Sequence, residues 1–203
     1  AGHSKEIAQR LSAEGQLIGI DQDQAAIEAA SENLSNTDPE VKLIRDNYSN
    51  LNTILRDLDI PAVDGFLFDL GVSSHQLDEP ERGFSYRYEA PLDMRMDQRQ
   101  EQTAADIVNE YSQEQLTEII GEYGEENWAA RIAEFVVKER KKKTIETTTD
   151  LVEIIKAAIP KAVRRKGGHP ARRTFQALRI ETNNELKQLE EMIKRVVYNL
   201  QAG

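Results

Sequence analysis

Residues 17–45 read LIGIDQDQAAIEAASENLSNTDPEVKLIR, and this pattern decides the fold class. Leu17, Ile18, Gly19 and Ile20 form a short apolar run that ends at Asp21. Asp23 stands where a helix N-cap belongs, and Ala25, Ile27, Ala30 and Leu34 follow at near-helical spacing. Residues 41–45 (VKLIR) are a second strand candidate. Working outward, Ser49 can cap a helix carrying Leu51, Ile54, Leu55 and Leu58. Residues 63–70 (VDGFLFDL) then supply a third, more strongly apolar strand candidate. Strand, helix, strand, helix, strand is the signature of a parallel sheet covered by helices.

The pattern changes after Leu70. Residues 71–99 lack periodicity and hold Gly71, Pro80, Gly83 and Pro91, which marks a long functional loop rather than a linker. Four helices are expected next. They are marked by Ala104, Ile107 and Val108; by Leu116, Ile119 and Ile120; by Trp128, Ile132, Phe135 and Val136; and by Leu151, Val152, Ile155 and Ile159, the last stopping at Pro160. Gly167, Gly168 and Pro170 break the chain. Phe175, Leu178, Leu186, Leu189, Met192, Ile193, Val196, Val197 and Leu200 then describe long helical structure. A bend is expected near Thr182, Asn183 and Asn184, and the length suits packing back onto the sheet. The predicted architecture is therefore an α/β domain, residues 1–99 and 171–203, with a helical domain of residues 100–170 inserted into it.

The chain has 203 residues, 39% hydrophobic and 31% charged, enough to bury a core. No apolar run reaches the roughly 18 residues that cross a bilayer, so no membrane association is expected. There is no visible signal peptide, and the chain opens on Ala1 rather than Met. The absence of cysteine removes disulfides, thiolate zinc sites and thiol catalysis together, and fits a reducing cytoplasm. The net charge of −10 is unevenly spread. Residues 138–143 (KERKKK) carry +4 and residues 161–173 (KAVRRKGGHPARR) carry +6, leaving −20 elsewhere. Such segments either grip a phosphate backbone or simply face solvent.

Candidate chemistry gathers at the ends of the expected strands. In doubly wound folds a glycine-rich turn follows the first strand, and an acidic residue about 20 positions later binds ribose hydroxyls. Asp21 lies 18 residues after His3 in the Gly2-His3 pair, at the end of an apolar run. Its carboxylate suits a vicinal diol; a helix-opening Asp without a ligand fits the spacing too. Asp69 ends the strongest strand candidate, where open α/β sheets place ligands, and Gly71, Ser73 and Ser74 follow it. It is either a ligand carboxylate or a strand-terminal cap. Tyr48 either lines an adenine pocket or sits on the surface. His3, His75 and His169 lack metal-ligand spacing, so no metal is expected. No nucleophile elbow and no Walker loop is present.

In order, the chain carries AGHS, GIDQD, DLGVSSHQLDEPERGFSYRYEAPLDMRMD, YGEENWAARIA and HPARRTFQALRIETNNEL. Over essentially its whole length it resembles the bacterial 16S rRNA cytosine-N4 methyltransferase family (MraW/RsmH). The third and fifth motifs are highly specific; GIDQD alone is not. The resemblance implies a Rossmann-like fold with an inserted helical domain, S-adenosylmethionine as methyl donor, and no metal. It implies as substrate the exocyclic N4 of a cytidine in the decoding region of 16S rRNA, within the small ribosomal subunit. Cofactor contacts then fall on Ala1, Gly2, His3, Asp21, Tyr48, Asp69 and Gln76. Ala1 stands where the family often has glycine. Compared with the family, the chain opens inside the first glycine-rich motif and stops at Gln201-Ala202-Gly203, before a strand and a segment resembling SFHSLEDR. It therefore reads as part of a longer enzyme.

Asp69 is the first candidate for contacting the target amine, with Ser73 and Ser74 behind it. The RNA contacts are expected from Arg82, Arg87, Lys141, Lys142, Lys143, Arg164, Arg165, Lys166, Arg172 and Arg173. Phe84 and Tyr86 either stack on a base or pack the loop. One rival is a DNA amino-methyltransferase, which typically carries an Asp-Pro-Pro-aromatic or Asn-Pro-Pro-aromatic tetrapeptide where this chain has Asp69-Leu70-Gly71-Val72. A second is a non-catalytic rRNA-binding assembly factor. A nicotinamide oxidoreductase fits GIDQD but not the rest.

Overall fold

The computed structural model describes residues 2–164 and 168–201. In chain order it contains α1 (Gly2–Ala8), β1 (Gln16–Asp21), α2 (Gln24–Leu34), β2 (Glu40–Arg45), a 3-10 turn (Tyr48–Asn50) and α3 (Leu51–Asp57). Next come α4 (Ser74–Asp78), a 3-10 turn (Pro80–Arg82), α5 (Ala104–Glu110), α6 (Gln113–Glu122) and α7 (Ala129–Arg140). The last are α8 (Thr148–Ala158), α9 (Lys161–Arg164), α10 (Arg172–Thr182) and α11 (Glu185–Asn199). Two compact units result. One holds the described residues up to Phe68, Met96–Gln98 and those from Leu186 onward; the other holds Asp69–Arg95 and Arg99–Glu185.

In the first unit, β1 and β2 pair in parallel, Gln16 opposite Glu40 through Asp21 opposite Arg45. Antiparallel neighbours can be joined by a tight turn, but a parallel pair needs a crossover, and α2 supplies it. The helix begins where the Asp23 carboxylate accepts the Ala25 N–H at 3.1 Å. These two strands and the capped helix stand where the sequence places them. The third expected strand does not form. Residues 63–70 contribute one isolated parallel bridge, Val63 to Leu200, closed by the Val63 N–H on Asn199 and the Gln201 N–H on Val63, both 2.9 Å. Leu67, Phe68 and Leu70 are 58%, 42% and 49% exposed. An apolar run becomes a strand only where a neighbour takes its backbone N–H and C=O groups. Among the described residues no strand lies beside this one.

The second unit is helical. Ser73, Thr103, Ser112 and Thr147 each close a capping box with the side chain three residues on. The apolar stripes of α5 to α8 converge on Ile107, Leu116, Ile120, Ile132, Leu151 and Ile155, all essentially without solvent contact. Burying such side chains stabilises by about 1.5–3 kcal/mol each. α6 packs on α7, α7 on α8, and α10 on α5 and α6. The expected bend after Thr182 is a full break between α10 and α11, with Asn184 at φ 50°. Asparagine tolerates this left-handed conformation better than most residues. Within the helical unit, Phe175 and Leu178 of α10 are buried. Periodicity exposes an apolar stripe but does not name its partner. Residues 69–95 and 171–185, which the sequence reading groups with the sheet, sit in the helical unit.

Candidate functional site

The carboxyl ends of β1 and β2 build a polar rim in the sheet unit. Asp21 Oδ1 accepts the Asp23 N–H at 2.8 Å, which fixes the carboxylate at the strand end. Asp21 stays solvent-accessible, but the protein atoms around its carboxylate partly desolvate it and raise its pKa above the ordinary 3.8; the Asp23 N–H opposes the rise and the Asp23 carboxylate adds to it. Asp23 itself is buried and serves as the α2 cap. The ladder continues one step beyond the strands, with the Asp46 N–H donating to the Asp21 carbonyl at 3.1 Å. Asn47 then caps the 3-10 turn by accepting the Ser49 N–H at 2.9 Å, and this turn carries half-buried Tyr48. Asn47 Nδ2 donates to Gln22 Oε1 at 2.9 Å and to Gln188 Oε1 at 2.7 Å. Gln22 reaches Met96 Sδ at 3.2 Å, and Arg45 pairs with Asp97 at 3.4 Å.

This network is the part of the rim that sequence reasoning missed. Asn47 is signalled by an Asx-type turn before Tyr48, but Gln188 and the Met96-Asp97 pair come from distant segments with no local mark. Gly2 and His3 open α1 and are exposed; Ala1, Arg165 and Lys166 lie outside the described residues, as do Gly167, Ala202 and Gly203.

The loop motif lies mostly in the helical unit. Asp69 is exposed, and Gly71 follows at φ 117°, a conformation open to glycine. Ser73 Oγ accepts the Gln76 N–H at 3.1 Å, while Gln76 Oε1 accepts the Ser73 N–H at 2.9 Å. Gln76 is buried and its side-chain oxygen is committed to this capping box; Ser74 is exposed in the first turn of α4. Gly83, at φ 71°, lies so close to the Pro91 carbonyl and the Asp93 N–H that a Cβ would collide with both. Beyond it, Met94 is fully buried at φ 62°. Its N–H donates to the Arg82 carbonyl at 3.0 Å and its carbonyl accepts Asn183 Nδ2 at 2.8 Å. Arg95 grips Asp93 through two bonds of 2.8 and 2.7 Å. The irregular stretch is a built structure.

The expected RNA-binding cations differ in what they already hold. Arg82 donates to the Arg95 carbonyl at 3.0 Å and lies over the buried Phe84 ring, so Phe84 packs the loop and offers no face to a base. Lys142 pairs with Glu139 at 2.8 Å and Lys143 with Asp150 at 3.0 Å. Arg87, Lys141, Arg172 and Arg173 are exposed and make no ion pair among the described residues. Arg164 Nε is buried and has no hydrogen-bond partner among the described residues. No group of three or more His, Asp or Glu side chains among the described residues is placed to hold a metal ion, and no described helix is long and apolar enough to cross a membrane.

The sequence profile of the MraW methylase family matches residues 1–203. The chain belongs to the MraW methylase family. Its relatives include proteins named ribosomal RNA small subunit methyltransferase H. That of Clostridioides difficile strain 630 is 56% identical over 193 residues, covering 95% of this chain and 62% of its own. That of Halothermothrix orenii is 56% identical over 202 residues, covering 100% and 65%. That of Acetivibrio thermocellus is 58% identical over 196 residues, covering 96% and 63%. The chain thus spans somewhat less than two thirds of the MraW-family relatives it matches. The GIDQD rim and the 71–99 loop described above both fall within the matched residues.

Proposed function

We propose that the whole protein transfers a methyl group from S-adenosylmethionine to the exocyclic N4 of a cytidine in the decoding region of 16S rRNA, in the cytoplasm and without a metal. Membership of a methylase family with relatives named for the small-subunit rRNA supports the reading. The observation that carries it is Asp21: a carboxylate at the carboxyl end of a parallel strand, one oxygen pinned by the Asp23 N–H. A carboxylate acceptor suits a ribose diol, which can donate two O–H groups to it.

In this reading Asp21 holds the ribose, Tyr48 flanks the adenine, and Ala1, Gly2, His3, Asp69 and Gln76 complete the donor site. Gln76 acts with its side-chain oxygen already closing the Ser73 turn. S-adenosylmethionine supplies an activated methyl on sulfur, so the protein's work is alignment of the attacking nitrogen. The cytosine amine is a weak nucleophile because its lone pair is delocalised into the ring. Asp69 accepts a hydrogen bond from that amine and later takes its proton, with Ser73 and Ser74 as weaker candidates. Arg82, Arg87, Lys141, Lys142, Lys143, Arg164, Arg165, Lys166, Arg172 and Arg173 supply the cationic surface for rRNA phosphates. In the whole protein, residues 63–70 join a wider Rossmann-like sheet, and the helices of residues 100–170 form an inserted domain.

Labelled methyl transfer by full-length protein to 30S subunits and to DNA, followed by nucleoside analysis, tests the proposal. N4-methylated cytidine from 30S alone is expected. Methylated DNA would favour a DNA amino-methyltransferase, and donor binding without transfer a non-catalytic assembly factor. Asp69→Ala is expected to cut transfer more than donor binding; unchanged transfer would remove Asp69 from the chemistry.

A further inference from the structure

We propose that the imidazole of His169, backed by Tyr86, is a stacking plate for an unpaired RNA base, with Arg172 and Arg173 taking the adjoining phosphates. This deepens the reading of the protein as one that acts on rRNA, and rests on it for the class of ligand.

The plate is built outward from the core. Phe175 is 3% exposed and meets Tyr86 edge to face, ring centres 5.7 Å apart at 90°. Tyr86 in turn lies flat against His169, ring centres 4.3 Å apart and 5° from parallel. Tyr86 and His169 are both half-buried, so the stack runs from a buried ring to partly open ones. Tyr86 thus has Phe175 against one part of its ring and the imidazole of His169 stacked upon it.

The imidazole is also held. Its Nδ1 accepts the Ala171 N–H at 3.3 Å, which assigns the remaining proton of the neutral ring to Nε2. Burial, then the nearby Lys156 charge, keep its pKa below the usual 6.5. A neutral, oriented, flat ring suits the π-face of a base, and such stacking tolerates any base identity.

The cations complete the argument. Arg172 and Arg173 follow within four residues of His169 and occupy the first turn of α10. The positive end of the helix dipole disfavours cations there. Both are exposed and unspent on any carboxylate among the described residues, unlike Lys142 and Lys143. The plate and two unspent cations thus lie within five residues of one another in sequence.

The test uses full-length protein and a short single-stranded RNA carrying one 2-aminopurine, whose fluorescence is quenched by stacking. Wild type is expected to quench it. His169→Ala is expected to abolish the quench and to weaken binding at least about five-fold, the low end for losing one base stack. His169→Trp restores a flat ring and is expected to keep both. Arg172→Ala with Arg173→Ala is expected to weaken binding, reduce the salt dependence, and keep the quench at saturation. The proposal is overturned if wild type does not quench or His169→Ala behaves as wild type. It is equally overturned if His169→Trp fails as His169→Ala does while its melting temperature is unchanged. Protein that quenches normally yet methylates no 30S subunits would sink the enzymatic reading and leave the plate standing.

Discussion

The sheet unit and the helical unit bury their apolar residues very differently. Neither β1 nor β2 contains a fully buried residue, although parallel strands are ordinarily covered on both faces. α11 leaves Ile193, Val197 and Tyr198 exposed at 57%, 70% and 87%. In the helical unit, every long helix from α5 to α8 and α10 sends its apolar stripe into a closed core. The lesson is that the helices can satisfy themselves locally, whereas a parallel sheet depends on neighbours. On the proposed function this contrast becomes a division of labour: the sheet unit carries the polar rim proposed to hold the ribose, and the helical unit carries the cations and the aromatic plate proposed for RNA.

That contrast can be broken most directly in the cores. Ile132→Ala is expected to cost about 2–5 kcal/mol in denaturant titration, because its site is closed on every side. Leu17→Ala, on a half-exposed strand, is expected to cost about 1 kcal/mol. Equal losses would end the comparison. A next effect concerns the loop. Gly83→Ala is expected to destabilise the helical unit by about 1–3 kcal/mol, since the added Cβ meets backbone on two sides at a left-handed φ. A neutral result would mean that the 71–99 loop is not part of the frame.

Asp21→Asn sharpens the functional half. Donor affinity by calorimetry is expected to fall about ten-fold or more, the scale of one charge-assisted hydrogen bond. Stability should not fall with it, because a carboxylate whose folded pKa is raised favours the protonated form. Any stability linked to that proton is fully present below pH 3.8 and lost as pH rises through the raised value, and the amide variant should flatten this dependence. The smallest expected effect is at the other end of the pH range. Tyr111 donates to Glu181 at 2.7 Å, and burial together with that bond pushes its pKa up to about 12. Its folded pKa lies above the unfolded 10.0, so its contribution is complete below pH 10 and disappears as pH climbs through about 12. Tyr111→Phe should lack this alkaline loss.

The same contrast explains what was legible in the sequence. Local signals came through: Asp23 as a cap, the two strands beside it, the four helices marked by their apolar stripes, and the Asn183-Asn184 break. Non-local partnerships did not. Residues 63–70 are as apolar as any strand, but strand formation is a property of a pair. α10 has a clear apolar stripe that does not say whether sheet or helices will cover it. At the rim, the place of Asp21 at a strand end was readable from the apolar run before it, and Asn47 only from turn chemistry. The link from Gln22 to Met96 joins residues 74 apart and has no sequence mark. Gln76 was assigned to the cofactor through family resemblance; its capping-box geometry was written in Ser73-x-x-Gln76 and could have been read alongside.

The most direct measurement is steady-state methyl transfer to 30S subunits by full-length protein, comparing Asp21→Asn with the Arg172→Ala and Arg173→Ala pair. The account predicts that Asp21→Asn raises KM for S-adenosylmethionine and leaves KM for 30S subunits near wild type, while the arginine pair does the reverse. Crossed or identical effects would contradict the division between a donor-holding rim and an RNA-holding helical frame.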